Sequence, residues 1–272
     1  MNNSVSTLKN YSIESALLDA QLLLAYVLNV DKDYIILHPN IEIPSEQEKQ
    51  IQKLIMRRAK HEPLQYITNK AYFYDLEFFV NENVLIPRPD TEILVETVLN
   101  TVSEEKFILD IGTGSGCIAI SLAKNLPNAK IDAIDISKNA LKIAEQNAGN
   151  NGVYIDFHNA DITNNYQLTT KNYDIIVSNP PYIPSNQCRT LMPEVSNYEP
   201  QTALDGGPDG LDFYRHIADF AAAHLAPNGV VALEIGQNQE QNIEKIFNQN
   251  NFILQSQTKD LSGIIRVLVF KQ

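Results

Sequence analysis

Phe107-Ile-Leu-Asp-Ile-Gly-Thr-Gly-Ser-Gly-Cys117 reads as a short apolar strand (Phe107 to Asp110), a glycine-rich turn and the entry to a helix. Gly112, Gly114 and Gly116 let the backbone turn tightly and approach a ligand with no Cβ in the way. The dinucleotide fingerprint needs its third glycine where Cys117 stands, and the phosphate loop needs a Gly-Lys-Ser/Thr ending that does not occur here. What remains is a D-x-G-x-G-x-G loop, Asp110 to Gly116, which suits a ligand without a pyrophosphate.

Downstream of this turn the chain alternates strand and helix. Cys117 to Ala123 begins a helix, Lys130 to Ile134 is a second strand, Ser137 to Asn150 a helix, and Val153 to Phe157 a third strand. Tyr173 to Ser178 is a fourth strand, Leu211 to Leu225 a helix, Val230 to Ile235 a fifth strand and Gln239 to Gln249 a helix. Phe252 to Gln257 and Ile264 to Phe270 close the chain with no helix between them, so an antiparallel pair at one sheet edge is expected. The alternation predicts an α/β fold with a mostly parallel sheet covered on both faces, its ligands outside the carboxyl ends of the strands.

Two acids fall at such ends. Asp135 ends the second strand, where a carboxylate can accept both hydroxyls of a ribose; it could equally cap the helix that follows. Asp161-Ile162 ends the third, placed to meet the edge and face of an adenine, although Asp161 could also be a turn acid. Three strand ends in register favour an adenosine pocket.

Upstream, residues 1–70 read as helical. Ile13, Ala16, Leu17, Ala20, Leu23, Leu24 and Val27 form one buried face, and short helices follow over Asp31–Leu37 and Ser45–Lys60. Ser45 and Glu48 have the spacing of a capping box. Arg57, Arg58 and Lys60 either complement that helix's C-terminus or contact an acidic partner. Residues 71–90 look like a β-hairpin connector broken at Asn81-Glu82-Asn83, and the prolines flanking Arg88 predict an extended segment. The expected organisation is therefore a helical domain over 1–70, the connector over 71–90 and an α/β domain over 91–272.

Composition narrows the partners. Twenty-one Lys and Arg against thirty-three Asp and Glu give the 272 residues a net charge of −12, which disfavours a charge-driven grip on nucleic acid. Two cysteines, Cys117 and Cys188, make neither a disulfide framework nor a zinc cluster, and no metal is expected. With no apolar run long enough to span a bilayer and no leader pattern, the expectation is a soluble cytoplasmic protein.

The fourth strand ends in Asn179-Pro-Pro-Tyr182. Two prolines hold the chain rigid, and the Asn179 side-chain carbonyl with the Pro180 carbonyl makes a two-acceptor fork for a planar NH2 group. Tyr182 offers an aromatic face for stacking. An amide or aryl NH2 is a poor nucleophile, and acceptors on both hydrogens orient it and stabilise the positive charge that grows as a bond to carbon forms.

Asp110–Gly116 together with Asn179–Tyr182 resembles the class I S-adenosylmethionine-dependent methyltransferases that modify planar amino groups. The chain more narrowly resembles the protein-glutamine N5-methyltransferases of class I peptide-chain release factors. This match takes in the helical domain, Pro63–Tyr66, the connector Ile86–Glu92, Glu199-Pro200, Ala203–Gly207, Gly210–Arg215 and Lys259–Gly263. The resemblance implies a Rossmann-like methyltransferase sheet with S-adenosylmethionine held by Gly112, Thr113, Gly114, Ser115, Gly116, Asp135, Asp161, Ile162 and Asn179. It implies catalysis by Asn179, Pro180 and Tyr182, and substrate contacts from these, Pro181 and Arg88. The implied partner is a class I release factor, met by a monomer through the helical domain, with no direct nucleic acid and no membrane. Asn-Pro-Pro-Tyr is shared with enzymes that methylate adenine N6 or cytosine N4, so a nucleic-acid methyltransferase is the alternative. Three positions depart from the family's pattern: Ile162 for an aromatic, Ile265 for an acidic residue, and Asn69 for a glycine, where Asn tolerates a left-handed turn.

Overall fold

The computed structural model describes residues 2–101, 106–164 and 172–272. The chain divides into two compact units, one of residues 1–70 with 192–198, the other of residues 71–191 with 199–272. The segment 192–198 thus belongs with the helical unit rather than with the α/β domain.

The helical unit contains α1 (Asn2–Asn10), α2 (Ala16–Leu28), α3 (Lys32–Leu37), α4 (Ser45–Ala59) and α5 (Leu64–Thr68). Leu8, Ala20, Leu23, Leu24, Ile35, Ile51 and Ile55 make its core. Leu17, expected on the buried face, is 52% exposed, because α2 begins at Ala16 and turns that position outward. The Ser45–Glu48 capping box does not form. Glu48 N donates to Pro44 O at 2.9 Å, so the helix already starts at Pro44 and Ser45 sits inside it. Asn69 takes the left-handed conformation (φ 55°) as the C-cap of α5, the turn its short polar side chain tolerates.

Two members of the basic trio are structural. Arg58 is buried, with Nε donating to Asp19 Oδ2 at 2.6 Å and Nη2 to Glu194 Oε1 at 3.2 Å. Arg57 pairs with Glu62. Among the described residues, Arg58→Ala would leave the buried Asp19 carboxylate with only the Ser15 hydroxyl at 2.8 Å. Breaking a buried pair from one side costs about 3–5 kcal/mol. A thermal melt followed by circular dichroism should show a marked loss for Arg58→Ala and a smaller one for Arg58→Lys, which keeps the charge but not the fork. Equal melting of Arg58→Ala and the parent would remove this pair from the fold's essentials.

A hairpin follows, β1 (Lys70–Phe73) and β2 (Leu76–Phe79), which from Ala71 onward belongs to the second unit. Its reversal lies at Tyr74-Asp75, both at positive φ (49° and 60°), and not at Asn81–Asn83. The two-residue turn needs positive φ at both positions, and Tyr-Asp lacks the Asn-Gly signature that announces it. Asn81 instead makes its own turn, its Oδ1 accepting from Asn83 N at 2.9 Å. Pro89 does not extend the chain but opens α6 (Pro89–Thr101), since proline at the first helical position loses no hydrogen bond.

The remaining elements are β3 (Phe107–Ile111), α7 (Cys117–Asn125), β4 (Lys130–Asp135), α8 (Lys138–Asn151), β5 (Asp156–Asn159) and β6 (Tyr173–Ser178). After a single turn at Pro193–Ser196 come α9 (Asp212–His224), β7 (Leu225–Glu234), α10 (Glu240–Gln249), β8 (Ile253–Lys259) and β9 (Ile265–Lys271). The sheet order is β5-β4-β3-β6-β7-β9-β8, with β9 antiparallel to both β7 and β8 and the other pairings parallel. This is the Rossmann-like arrangement with the antiparallel edge that the sequence predicts. Against one face pack Tyr214, Ile217 and Phe220 of α9 and Phe247 of α10, the last stacked on Phe270 with ring centroids 4.2 Å apart. From β3 the chain moves outward to β4 and β5, then returns to β6 on β3's other side. This reversal opens a crevice at the carboxyl ends of β3 and β6.

Candidate active site

A cavity of about 700 Å³ occupies that crevice. It lies wholly in the second unit, and its size is that of a small-molecule site. Register explains its walls. Ile111 pairs with Ile134 on one side and Ser178 on the other, so the residues that follow, Gly112, Asp135 and Asn179, leave the sheet together.

Gly112 (φ 73°) and Gly114 (φ 57°) line the cavity. A Cβ at Gly112 would meet no atom within 4 Å, so the open side of this turn is a cradle that a ligand, not the protein, would fill. Thr113, Ser115 and Gly116 lie behind it. The Thr113 hydroxyl donates to buried Asp110 Oδ2 at 2.7 Å, and Ser115 O accepts from Asn147 Nδ2 at 2.9 Å. A Cβ at Gly116 would stand 2.9 Å from Ile120 Cδ1. Asn147 Oδ1 also accepts from Phe79 N at 2.7 Å, tying the hairpin to the glycine turn. Through this anchor the connector contributes Asn83, Val84 and Leu85 to the cavity wall.

Asp135 stands on the wall with Oδ2 accepting from Gly114 N (2.9 Å) and Oδ1 from Ser137 N (2.8 Å). Burial pushes its carboxyl above the usual range, against the pull of those two amides. The cap of α8 is Ser137, whose Oγ accepts from Ala140 N at 3.2 Å, so Asp135 is not spent as the cap. Asp161 is both a wall residue and a turn acid. Burial raises its carboxyl, but the Thr163 hydroxyl and amide and the Asn164 side chain outweigh it and hold the group below its ordinary value. Ile162, Ile134 and Ile136 give the same end of the cavity apolar faces. Buried aliphatic surface, a ring of acceptors and an open glycine cradle fit an uncharged heteroaromatic base with its ribose.

At the other end lie Asn179, Pro180 and Pro181. Asn179 Nδ2 donates to the buried Thr91 Oγ1 at 3.0 Å, and among the described residues Oδ1 has no hydrogen-bond partner and is left to face a ligand. Thr91 was not legible as a site residue; its only signal is its place in the Arg88–Glu92 run. The 200–212 segment and Gln239 brace this loop: Ile183 N donates to Leu204 O (3.0 Å), Ser185 N to Gly207 O (2.9 Å), and Gln239 Nε2 to Tyr182 O (2.9 Å). His216 and Phe213 of α9 complete the wall; Phe213 lies within the Gly210–Arg215 segment of the resemblance but was not named for the site, and His216 follows just after it.

Two residues expected at the site stand off it. Tyr182 packs against the core with its hydroxyl 3.5 Å from Glu234 Oε1, and burial, with Glu234 adding, pushes its phenol up to about 12. Arg88 Nη2 donates to Glu199 Oε2 at 2.5 Å, so its guanidinium is committed to a buried carboxylate. Neither is on the cavity wall. Among the described residues no group of three or more His, Cys, Asp or Glu is placed to hold a metal ion, and no helix is long and apolar enough to cross a membrane.

Comparison with known proteins agrees with this architecture. The PrmC N-terminal domain profile matches residues 1–68 and the methyltransferase small domain profile residues 88–194. A release factor glutamine methyltransferase of Fusobacterium nucleatum is 42% identical, covering 100% of this chain and 77% of that protein. One from Thermodesulfovibrio yellowstonii is 43% identical over 93% of this chain and 92% of its own length. Among solved structures, a Pyrococcus furiosus methyltransferase superposes with a TM-score of 0.56 at 20% identity, covering 82% of this chain and 98% of that one, a likeness of fold alone. With identities of this size running through both domains, the chain belongs to the release factor glutamine methyltransferase family.

Proposed function

We propose that this protein methylates the side-chain amide nitrogen of a glutamine in class I peptide-chain release factors, with S-adenosylmethionine as the methyl donor in the 700 Å³ cavity. The observation that carries the reading is the Asn179 side chain, which spends an N–H of its NH2 on Thr91 and whose carbonyl, among the described residues, has no partner beside Pro180. A free acceptor there suits a substrate that arrives with an NH2 group.

In this reading Gly112 and Gly114 leave room for the methionine end of the cofactor. Asp135 meets the ribose, and Asp161 and Ile162 border the adenine. Bound S-adenosylmethionine supplies an electrophilic methyl group. Asn179 Oδ1 and the Pro180 carbonyl accept the two substrate N–H bonds, hold the nitrogen in line, and favour the positive charge that develops on it. The proton then lost from nitrogen leaves through the Pro180 carbonyl or water, so no strong base is required. Tyr182 stays protonated and acts from behind the loop. The helical unit recognises the protein substrate. Arg58, buried in its ion pairs, takes no part in that contact, and Lys60 is the exposed cation of the trio. We extend the proposal to a monomer working in the cytoplasm.

The test is incubation of the protein with methyl-labelled S-adenosylmethionine and either release factor or a mixed oligonucleotide. Label on the release factor, and one added methyl on one glutamine by mass spectrometry, is expected. Label on the oligonucleotide alone would instead select the nucleic-acid reading.

A further inference from the structure

β4 and β5 run side by side until Asp135 meets Asn159, and from there the two chains part to line the cavity. The last backbone rung between them is Ala160 N to Asp135 O at 3.1 Å. One side chain carries the pairing further. Asn159 Nδ2 donates to Asp135 O at 3.0 Å and to Ile136 O at 2.8 Å, so the two hydrogens of one NH2 span two successive carbonyls. A carboxamide can be turned end for end, but both partners here are pure acceptors, so only its nitrogen fits.

The turn held in this way carries two wall residues. Asp135 has its carboxylate fixed by the amides of Gly114 and Ser137. Ile136 lines the cavity with its side chain 60% exposed, so its apolar surface is open to a ligand. The chain that supplies the staple goes on, two residues later, to Asp161 and Ile162 on the same wall. Asn159 therefore joins the two strand-end loops that make the apolar end of the cavity. We propose that Asn159 is a positioning residue for the cofactor's base: its NH2 holds the Asp135-Ile136 turn against the 159–162 segment, which sets Ile136 on a face of the adenine and Asp135 beside the ribose. This inference rests on the S-adenosylmethionine reading given above.

The staple depends on the type of side chain as well as on its size. Aspartate at 159 has the same shape, yet when ionised it offers no N–H and sets its oxygens against two carbonyl oxygens. Alanine removes both bonds without adding that repulsion. Aspartate should therefore do more harm than alanine, the reverse of what lost side-chain volume alone would give. Asn159 is exposed and outside the hydrophobic core, so either variant should fold.

The test uses the full-length parent, Asn159→Ala and Asn159→Asp. Calorimetric titration with S-adenosylhomocysteine should show affinity about tenfold lower in Asn159→Ala, the effect of roughly one to two hydrogen bonds, and about thirtyfold lower in Asn159→Asp. The KM for S-adenosylmethionine should rise in step, while kcat at saturation and the KM for release factor stay within about twofold of the parent. The ring current of bound adenine should shift the Ile136 methyl resonances of the parent. With S-adenosylhomocysteine saturating, that shift should shrink markedly in Asn159→Asp while the Ile162 shift is kept. Without ligand, hydrogen exchange at the Gly114 and Ser137 amides should quicken about tenfold in Asn159→Asp, because the turn that presents their acceptor loosens. Affinity in Asn159→Asp within about twofold of the parent overturns the proposal. So does an Ile136 shift equal to the parent's, which would put the loss elsewhere, or a release-factor KM that rises as much as the cofactor's, which would make it general. If the parent binds no S-adenosylhomocysteine, the cofactor reading fails. Exchange at Gly114 and Ser137 then decides whether Asn159 holds the turn.

Discussion

Asn179→Ala lowers kcat for methyl transfer to release factor by about 10²–10³-fold, the cost of losing one preorganised polar group at a developing charge. The substitution removes Oδ1 from the cavity wall and Nδ2 from Thr91 together, and it leaves the Thr91 hydroxyl without the donor that lies 3.0 Å away. Pro180 and Pro181 still hold the backbone, so the loop keeps its path and one of the two acceptors survives. The loss should therefore appear in kcat with both substrates saturating. Binding of S-adenosylhomocysteine should weaken far less, because Gly112, Gly114, Asp135 and Asp161 remain on the wall. Steady-state kinetics with purified release factor, paired with calorimetric titration of the cofactor product, separates the two. A variant that turns over within threefold of the parent would sink the clamp as the source of rate.

What the sequence disclosed follows the strength of the local signals. β3 and β6 are readable from the short apolar runs Phe107–Leu109 and Ile175–Val177, and β4 from Ile131, Ala133 and Ile134 around Asp132, while the ends of these strands carry glycine, aspartate and asparagine. The antiparallel edge is readable because nothing of helical length separates β8 from β9. The sequence reading fails where tertiary contacts decide. Tyr74-Asp75 adopts a turn its residue types do not advertise, Pro89 starts a helix where proline suggested extension, and Ser45 lies one residue inside a helix it was expected to cap. At the site, residues on strand ends could be named in advance. Thr91, Glu234 and His216 reach the same region from α6, β7 and α9, and no spacing in the chain connects them to Asn179. Tyr182 and Arg88 were named by motif, but their surroundings turn them toward Glu234 and Glu199.

Gly210→Ala should do nearly as much damage as Asn179→Ala without touching the cavity. Gly210 sits at φ 76°, where a side chain costs about 1–2 kcal/mol. A Cβ there would also lie 2.4 Å from Tyr182 O and 2.9 Å from Gln239 Nε2. The first is backbone and cannot swing aside, so the Tyr182 carbonyl must move. That carbonyl accepts from Gln239 Nε2 at 2.9 Å, and the same amide reaches Gly210 O at 3.3 Å, so the brace on the Asn179–Tyr182 loop loosens as a unit. Strain plus about one lost hydrogen bond amounts to roughly 2–4 kcal/mol, a fall in Tm of about 5–15 °C for a chain of this size. A shift of about 1 Å at the clamp costs on the order of 10² in rate. Gly152→Ala is the control. Gly152 has φ 65° at the C-cap of α8, and a Cβ there meets nothing within 4 Å, so this variant bears the backbone strain alone. Both variants should melt lower than the parent, but only Gly210→Ala should lose kcat. If the two lose stability and keep activity alike, the loop tolerates displacement and rigid positioning is not what makes the clamp work.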